Sequence, residues 1–182
     1  MTPPISPTDI LSFWGAAGYA RWFKRDDAFD AEIKNRFESL WRSAAGGALD
    51  DWQNTDDGAL ALTIVLDQFP RNLFRGDVRA FSTDDKALGV ARAALDRGAD
   101  GKVDPVLKPF FYLPFMHSEA LADQDRSVAL YEALGEADQL KYARLHRDII
   151  ARFGRFPHRN GLFGRTMTPA EQAYLDASGF QG

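Results

Sequence analysis

Apolar side chains recur at spacings of three and four residues along most of the chain, and this period constrains the fold more than any other feature. Between Asp26 and Gly46, for example, Phe29, Ile33 and Phe37 follow this spacing. Side chains three and four positions apart lie on one face of an α-helix, so the stretch predicts a helix with one buried stripe. No run alternates apolar and polar residues between turn residues, which is the pattern of a half-buried β-strand. The sequence therefore predicts an all-α protein.

Helix-capping residues and helix breakers divide the chain into about eight to ten predicted helices. Segment 59–66 is apolar on nearly all sides, which predicts a helix at the centre of the protein. The helices predicted over 119–134 and 136–153 are separated only by Gly135, and so short a connection predicts an antiparallel hairpin. Several prolines predict short helical turns between 104 and 115. The predicted N-caps are Ser6, Asp26, Thr55, Thr83, Ser118 and Thr168.

Length and composition indicate one domain with a large aromatic core. The chain has 182 residues, including 14 Phe and 4 Trp, so we expect a single helical domain over residues 1–182. It contains no cysteine, which excludes thiol catalysis, thiolate zinc sites and disulfides. The first ten residues lack the basic start and apolar segment of a signal peptide, and no apolar run is long enough to span a bilayer. We therefore expect a cytoplasmic protein without a membrane partner.

Charge is distributed unevenly along the chain. The net charge of −4 argues against a partner bound through bulk positive charge, so we expect no nucleic-acid partner. The segment 141–165 nevertheless carries seven basic residues and one acidic residue, a local charge of +6 that leaves −10 on the rest. Such a segment is suited to an anionic ligand. The alternative is an ion-paired helix face, because Asp148 lies four residues from both Arg144 and Arg152.

Two polar turns contain similar residues. Phe-Pro-Arg-Asn occurs at residues 69–72, and Phe-Pro-His-Arg-Asn occurs at residues 156–160. We hypothesise that the turns around them, residues 69–76 and 154–165, lie side by side and form one conjoined Arg/His/Asp site. The alternative is that each turn only stops a helix, with Arg and Asn satisfying its free carbonyl groups.

Several side chains in and near these turns are suited to acid–base chemistry. Asp67 is placed in the last turn of the central helix, where the helix dipole disfavours a carboxylate, and Arg71 is its local partner. An ion pair that orders the helix end explains Asp67 equally well. His146 lies on an apolar helix face, which is also typical of a hydrogen-bonded core histidine. The candidate catalytic residues are Asp67, His117, Glu119, His146 and His158.

Arginine and asparagine are suited to binding a carboxylate or phosphate group. Arginine binds such groups through two parallel hydrogen bonds, and asparagine offers both a donor and an acceptor. No two histidines have the spacing of a helical metal motif, so we predict neither a metal site nor a cofactor. The candidate ligand-binding residues are Arg71, Asn72, Tyr112, Arg155, Arg159 and Asn160.

Four strings of the sequence resemble a known bacterial family. They are DQFPRNLFRG (67–76), the stretch from PFMHSE to ADQDRSVALYEAL (114–134), HRDIIARFGRFPHRN (146–160) and the closing LFGRTMTPAEQAYL. The family is the domain of unknown function nine-two-four, and the resemblance extends from Ile10 to the last helix. It implies an all-helical fold of stacked hairpins like that of tetratricopeptide repeat (TPR) proteins, with no established activity. Pro109 departs from the expected pattern, since it lies where an uninterrupted helix leads to Tyr112.

The residues are compatible with two functions. The first is a binding or interaction domain of TPR-like fold whose partner is a small anionic ligand, a protein or a peptide. The alternative is an enzyme that acts on a small phosphate- or carboxylate-bearing substrate by His/carboxylate acid–base chemistry. The sequence by itself does not decide between binding and catalysis.

Overall fold

The computed structural model describes residues 4–177 and Phe180, and all regular secondary structure in them is helical. This confirms the all-α prediction. Residues 1–3, part of the N-terminal stretch considered for a signal peptide, lie outside the described residues. The α-helices are α1 (Pro7–Ala17), α2 (Tyr19–Trp22), α3 (Asp27–Ala45), α4 (Asp56–Asp67), α5 (Phe69–Leu73), α6 (Asp84–Asp96), α7 (Leu113–His117), α8 (Leu121–Leu134), α9 (Ala137–Phe153) and α10 (Pro169–Asp176). Short 3₁₀ helices cover Asp50–Asn54, Val78–Phe81, Ala99–Gly101, Lys108–Phe111 and Pro157–Arg159.

The chain divides into two units according to which residues pack together. The first unit contains Met1–Arg75 and Arg79–Pro114, and the second contains Gly76–Val78 and Phe115–Gly182. One domain over residues 1–182 stays a prediction. None of the helices in the described part of the chain combines the length and apolar character needed to cross a membrane.

Helix α4 forms the centre of the first unit, as its apolar sequence predicted. Every residue from Gly58 to Asp67 is buried, and α1, α3 and α6 pack against this helix. Beside it, the rings of Trp14 and Phe37 lie 5.7 and 5.2 Å from that of Phe69. Burying each such aromatic side chain contributes roughly 1.5–3 kcal/mol to folding. The first unit is therefore stabilised mainly by apolar burial around one helix.

Helices α8 and α9 form the predicted hairpin in the second unit. Gly135 ends α8 with a φ of 82°, a left-handed conformation that glycine adopts without steric cost, and α9 then packs along α8. In the same unit, Ile149 and Ile150 of α9 form a small hydrophobic core with Phe156. This pairing of helices is consistent with a TPR-like stack.

Most predicted helix caps are present. Ser6 and Thr168 form complete capping boxes, and the side chains of Asp26 and Thr55 accept hydrogen bonds from the first turns of α3 and α4. These caps depend only on residues within three positions, which explains why the sequence predicts them.

Two predicted caps differ from the structure in detail: Thr83 is the N-cap residue of α6 but makes no capping hydrogen bond, and Ser118 is not the N-cap residue of α8. Thr83 precedes α6, but its hydroxyl accepts from the indole N–H of Trp41 at 3.3 Å and donates to the carbonyl of Leu66 at 2.5 Å. A buried indole needs an acceptor, so this tertiary contact takes the hydroxyl. Helix α8 begins at Leu121 rather than at Glu119, and Ser118 instead donates to the carboxylate of Asp123 at 2.8 Å.

The two predicted polar turns also contain short helical segments. Residues 69–76 include α5, because a proline in the first turn of a helix leaves no hydrogen bond unmade. Residues 154–165 include the 3₁₀ helix Pro157–Arg159. The segment from 104 to 115 contains short helical turns, as predicted, and Pro109 lies inside the 3₁₀ helix Lys108–Phe111.

Candidate functional site

In the first unit, Asp67 and Arg71 form an ion pair at the end of α4. Asp67 is 1% exposed, accepts a hydrogen bond from the amide of Gln68 at 2.6 Å, and lies 3.4 Å from the guanidinium of Arg71. Arg71 also donates to the backbone carbonyl of Asp67 and makes two hydrogen bonds to Asp84, at 3.0 and 2.9 Å. Burial lowers the pKa of Arg71, but the charges of Asp67 and Asp84 outweigh this effect and raise it. These contacts match the alternative given for Asp67 in the sequence analysis, an ion pair that orders the end of the helix.

The remaining candidates of the first unit also bond to carboxylates. The amide of Asn72 donates to Asp30 of α3 at 2.7 Å, and Arg75 donates twice to the same carboxylate, at 2.9 Å each. The hydroxyl of Tyr112 donates to Asp100 at 2.8 Å, and burial together with this carboxylate raises the pKa of Tyr112. These bonds connect α5 to α3 and fasten the turns that precede α7.

In the second unit, Glu119 is held between two segments. Its carboxylate accepts from the backbone N–H of Phe156 at 2.9 Å and from Nη1 of Arg165 at 2.9 Å, and its other oxygen lies 2.9 Å from Nη2 of Arg165. Burial raises the pKa of Glu119, but the hydrogen bond from Arg165 and that from Phe156 outweigh burial and lower it. Glu119 is therefore ionised at neutral pH and joins the start of α8 to the turn that follows α9.

Arg155 and Glu171 form a second, more buried pair. Arg155 donates to the two carboxylate oxygens of Glu171 at 2.6 and 2.9 Å, and also to the carbonyl of Thr166 at 2.8 Å. Glu171 is 2% exposed, and the hydrogen bond from Arg155 holds its pKa far below its usual range. The sequence identified Glu171 only as the capping-box residue of α10 and did not predict its partner.

The rest of the turn is bonded to backbone and ring atoms. Arg159 is buried, donates to the carbonyl of His117 at 3.0 Å, and places its guanidinium 4.4 Å from the ring centre of Phe156. Asn160 is fully buried, and its backbone carbonyl accepts from the N–H of Arg165 at 2.8 Å. The turn therefore has defined bonds on both sides of Pro157.

His146 and His158 are neutral at neutral pH. His146 is buried, and its Nδ1 lies 2.8 Å from the carbonyl of Tyr142, which assigns the proton to Nδ1. Burial lowers the pKa of His146 to about 3. Burial and the charge of Arg159 lower the pKa of His158 to about 4. The ring of Phe180 lies 4.5 Å from that of His146 and 5.4 Å from that of His158.

The structure brings some candidates together and leaves the grouping of others a prediction. Glu119, His117, Arg159 and the segment around Phe156 share bonds within the second unit. The candidates Asp67, Arg71, Asn72 and Tyr112 belong to the first unit. One site formed jointly by the two turns stays a prediction. Among the described residues, no three His, Asp or Glu side chains are grouped so that they could hold a metal ion.

Comparison with known families identifies the chain. The sequence pattern of the family described as bacterial protein of unknown function, DUF924, matches residues 10–179. The chain belongs to the DUF924 family. This confirms the resemblance carried by the four sequence strings.

A solved structure of similar sequence supports the fold of this DUF924 protein. A protein of unknown function from Agrobacterium tumefaciens is 46% identical, and the alignment covers 94% of this chain and 97% of that chain with a TM-score of 0.90. No curated protein matches the chain significantly. The comparisons therefore give the DUF924 protein its fold and family, and any function has to be argued from the site.

Proposed function

We propose that this DUF924 protein is a binding domain and that its predicted polar residues hold helix ends in place. One observation carries the proposal: the carboxylates of the candidate site are paired with guanidinium groups. Glu119 pairs with Arg165 and Glu171 pairs with Arg155. A charge that is paired and hydrogen-bonded in this way orders the chain, whereas a catalytic carboxylate has to exchange a proton or contact a substrate.

The titration behaviour of the histidines supports binding over acid–base catalysis. A general acid or base is most effective when its pKa lies near the working pH. The pKa of His146 is about 3 and that of His158 is about 4, so each imidazole is a weak base and carries no acidic imidazolium proton at neutral pH. Glu119, whose pKa is lowered, carries none either.

Exposed apolar side chains on α9 support a protein or peptide partner. Tyr142 and Leu145 are 51% and 37% exposed and are spaced three residues apart, so they lie on one face of the helix. Large apolar side chains exposed together are typical of surfaces that bind a partner. The surrounding salt bridges hold α9 in place and leave this face available.

Stability measurements distinguish a structural pair from a catalytic one. We expect Glu119→Gln to lower the free energy of unfolding by roughly 1–3 kcal/mol, since partly buried hydrogen bonds to a charged group are lost or weakened. The matched control is Glu132→Gln, which breaks an exposed pair with Arg144 and should change stability little. Substitutions of catalytic residues commonly leave the free energy of unfolding unchanged or raise it. An unchanged or higher stability of Glu119→Gln in urea unfolding would overturn the proposal.

The second candidate function, an enzyme acting on a small anion, has one observation in its favour. His158 is half-buried beside Arg159, and the charge of Arg159 helps to lower the pKa of His158. A positive field of this kind attracts phosphate or carboxylate groups. The test is a titration of the protein with inorganic phosphate to about 20 mM, where a site of millimolar affinity is mostly filled. A shift of the His158 imidazole resonances on addition of phosphate supports this candidate function, and unchanged resonances contradict it.

A further inference from the structure

The outer face of α9 carries both apolar and charged side chains. Tyr142 and Leu145 are 51% and 37% exposed. Asp138 and Arg152 are also exposed, and they lie seven residues before and seven residues after Leu145. Seven residues are close to two turns of an α-helix, so Asp138, Leu145 and Arg152 lie on one face, over a length of about 21 Å. This face has an apolar centre and opposite charges at its two ends.

The other sides of α9 are occupied within the second unit. Arg144 and Arg147 form ion pairs with two carboxylates of α8. The buried residues of α9 are Ala143, His146, Ile149 and Ile150. The outer face is therefore the side of α9 from which a partner can approach.

Arg152 forms the basic end of this face. Its guanidinium lies 4.7 and 5.8 Å from the ring centres of Phe153 and Tyr174, and it forms no ion pair with any described carboxylate. Asp148, four residues earlier, has a spacing that suits an ion pair with Arg152, but it lies 3.5 Å from Arg147 instead. The charge of Arg152 is thus available to an acidic group of a partner.

Asp138 forms the acidic end of the face. It lies in the first turn of α9, where the helix dipole favours a carboxylate. Lys141 is three residues away, a spacing that suits an ion pair. Neither Asp138 nor Lys141 forms an ion pair with another residue in the part of the chain that the structure describes. The acidic end is therefore available to a basic group of a partner.

We propose that the outer face of α9 binds the same face of a second copy of the protein, with the two helices antiparallel and the two-fold axis at Leu145. This arrangement brings the two Leu145 side chains together and places Asp138 of each copy opposite Arg152 of the other. Parallel helices would place like charges opposite each other, so the charge pattern favours the antiparallel pair. The inference names the partner for the proposed binding function and rests on it.

The size of the face predicts a weak dimer. Each copy contributes only two large exposed apolar side chains, Tyr142 and Leu145. A face one helix wide buries less than the roughly 800 Å² per partner of a standard interface. Exposed ion pairs add little to affinity individually. We therefore expect a dissociation constant between about 1 μM and 1 mM.

Sedimentation equilibrium of the full chain, up to a concentration of about 1 mM, measures the association. We expect a reversible monomer–dimer equilibrium. Arg152→Glu and Asp138→Arg should each weaken the dimer about tenfold, because two attractive charge pairs become repulsive. The variant that carries both substitutions exchanges the two charges, so its dissociation constant should return to within about threefold of that of the unaltered protein.

Lys34→Glu is the matched control. Lys34 is an exposed residue of α3, so this substitution changes the net charge as much as Arg152→Glu does without altering α9. It should change the dissociation constant less than about twofold, since distant exposed charges are screened by salt.

Three results would overturn the inference. They are a monomer at every concentration, a dimer that both single charge reversals leave unchanged, and a double variant that does not recover association. A single reversal that only disturbs folding is recognised by the last result, because the second reversal would not repair it. None of these results alters the stability expected for Glu119→Gln, so the two proposals fail separately.

Discussion

Gly58 shows how tightly the first unit is packed at a single residue. A Cβ atom added there would lie 2.1 Å from the carbonyl oxygen of Trp52 and 2.5 Å from the hydroxyl of Thr55. The first of these atoms belongs to the backbone and cannot move aside. We expect Gly58→Ala to lower the free energy of unfolding by about 1–3 kcal/mol, measured by urea unfolding.

Gly89 is the matched control for this prediction. It lies inside α6, and a Cβ added there meets no atom within 4 Å. Alanine loses less backbone entropy than glycine when a helix forms, so Gly89→Ala should raise the free energy of unfolding by roughly 0.5–1 kcal/mol. Similar effects of the two substitutions would contradict the steric argument.

The two neutral histidines give a prediction about pH. Because the pKa values of His146 and His158 are about 3 and 4, we expect their imidazole resonances to stay constant between neutral pH and pH 5. A histidine of the unfolded chain titrates near a pKa of 6.5. The unfolded state therefore takes up protons first, and the folded state loses stability as the pH falls below 6.5. Titration of either ring near its usual pKa would show that it is not buried as described.

At the scale of elements, the pair of Arg155 and Glu171 fastens α10 to the turn after α9. The folded-state pKa of Glu171 lies below its usual value of 4.5. The stability from this pair is therefore fully present above pH 4.5 and is lost as the pH falls toward the folded-state pKa. We expect Glu171→Gln to be clearly less stable than the unaltered protein at neutral pH and to approach it in acid.

Urea unfolding at several pH values measures this difference. Glu132→Gln serves again as the control, because its carboxylate is 50% exposed and its loss should give a small difference that varies little with pH. A constant difference between Glu171→Gln and the unaltered protein from neutral pH to acid would contradict the role of the charge.

At the scale of the whole molecule, the basic segment 141–165 is an ion-paired surface to a large extent. Arg144 pairs with Glu132 at 2.7 Å and Arg147 pairs with Asp125 at 3.0 Å, so two arginines of α9 form ion pairs with carboxylates of α8. The guanidinium of Arg152 lies 4.7 Å from the ring centre of Phe153. These contacts match the alternative in which the positive charge is balanced locally.

This charge balance predicts that the protein does not bind nucleic acid. Its net charge is −4, and part of its basic segment is already paired. In fluorescence anisotropy with labelled single-stranded and double-stranded DNA, we expect no binding tighter than the nonspecific range of about 10⁻⁴–10⁻⁶ M at physiological salt. Binding tighter than that range that weakens steeply with salt would show that the segment is available to phosphates.

Much of the fold was predictable because helix formation depends on residues only a few positions apart. The stripe of Phe29, Ile33 and Phe37 identified α3, and the capping box at Thr168 identified the start of α10. The strings around Asp67 and His158 were specific enough to identify the DUF924 family, which the match over residues 10–179 confirms. The candidate site was less predictable, since the partner of Glu119 is Arg165, 46 positions away.

The sequence by itself determined the helical class, most helix ends and the family, because these follow from local periodicity, caps and recognisable strings. Only the tertiary structure decided what the polar side chains do. It directed the hydroxyl of the N-cap residue Thr83 to a buried indole instead of to the first turn of α6, paired Arg155 with Glu171, and buried His146 so that it stays neutral. The physical reason is that pairing and burial depend on which distant segments pack together, and packing sets both the hydrogen-bond partner and the charge of each group.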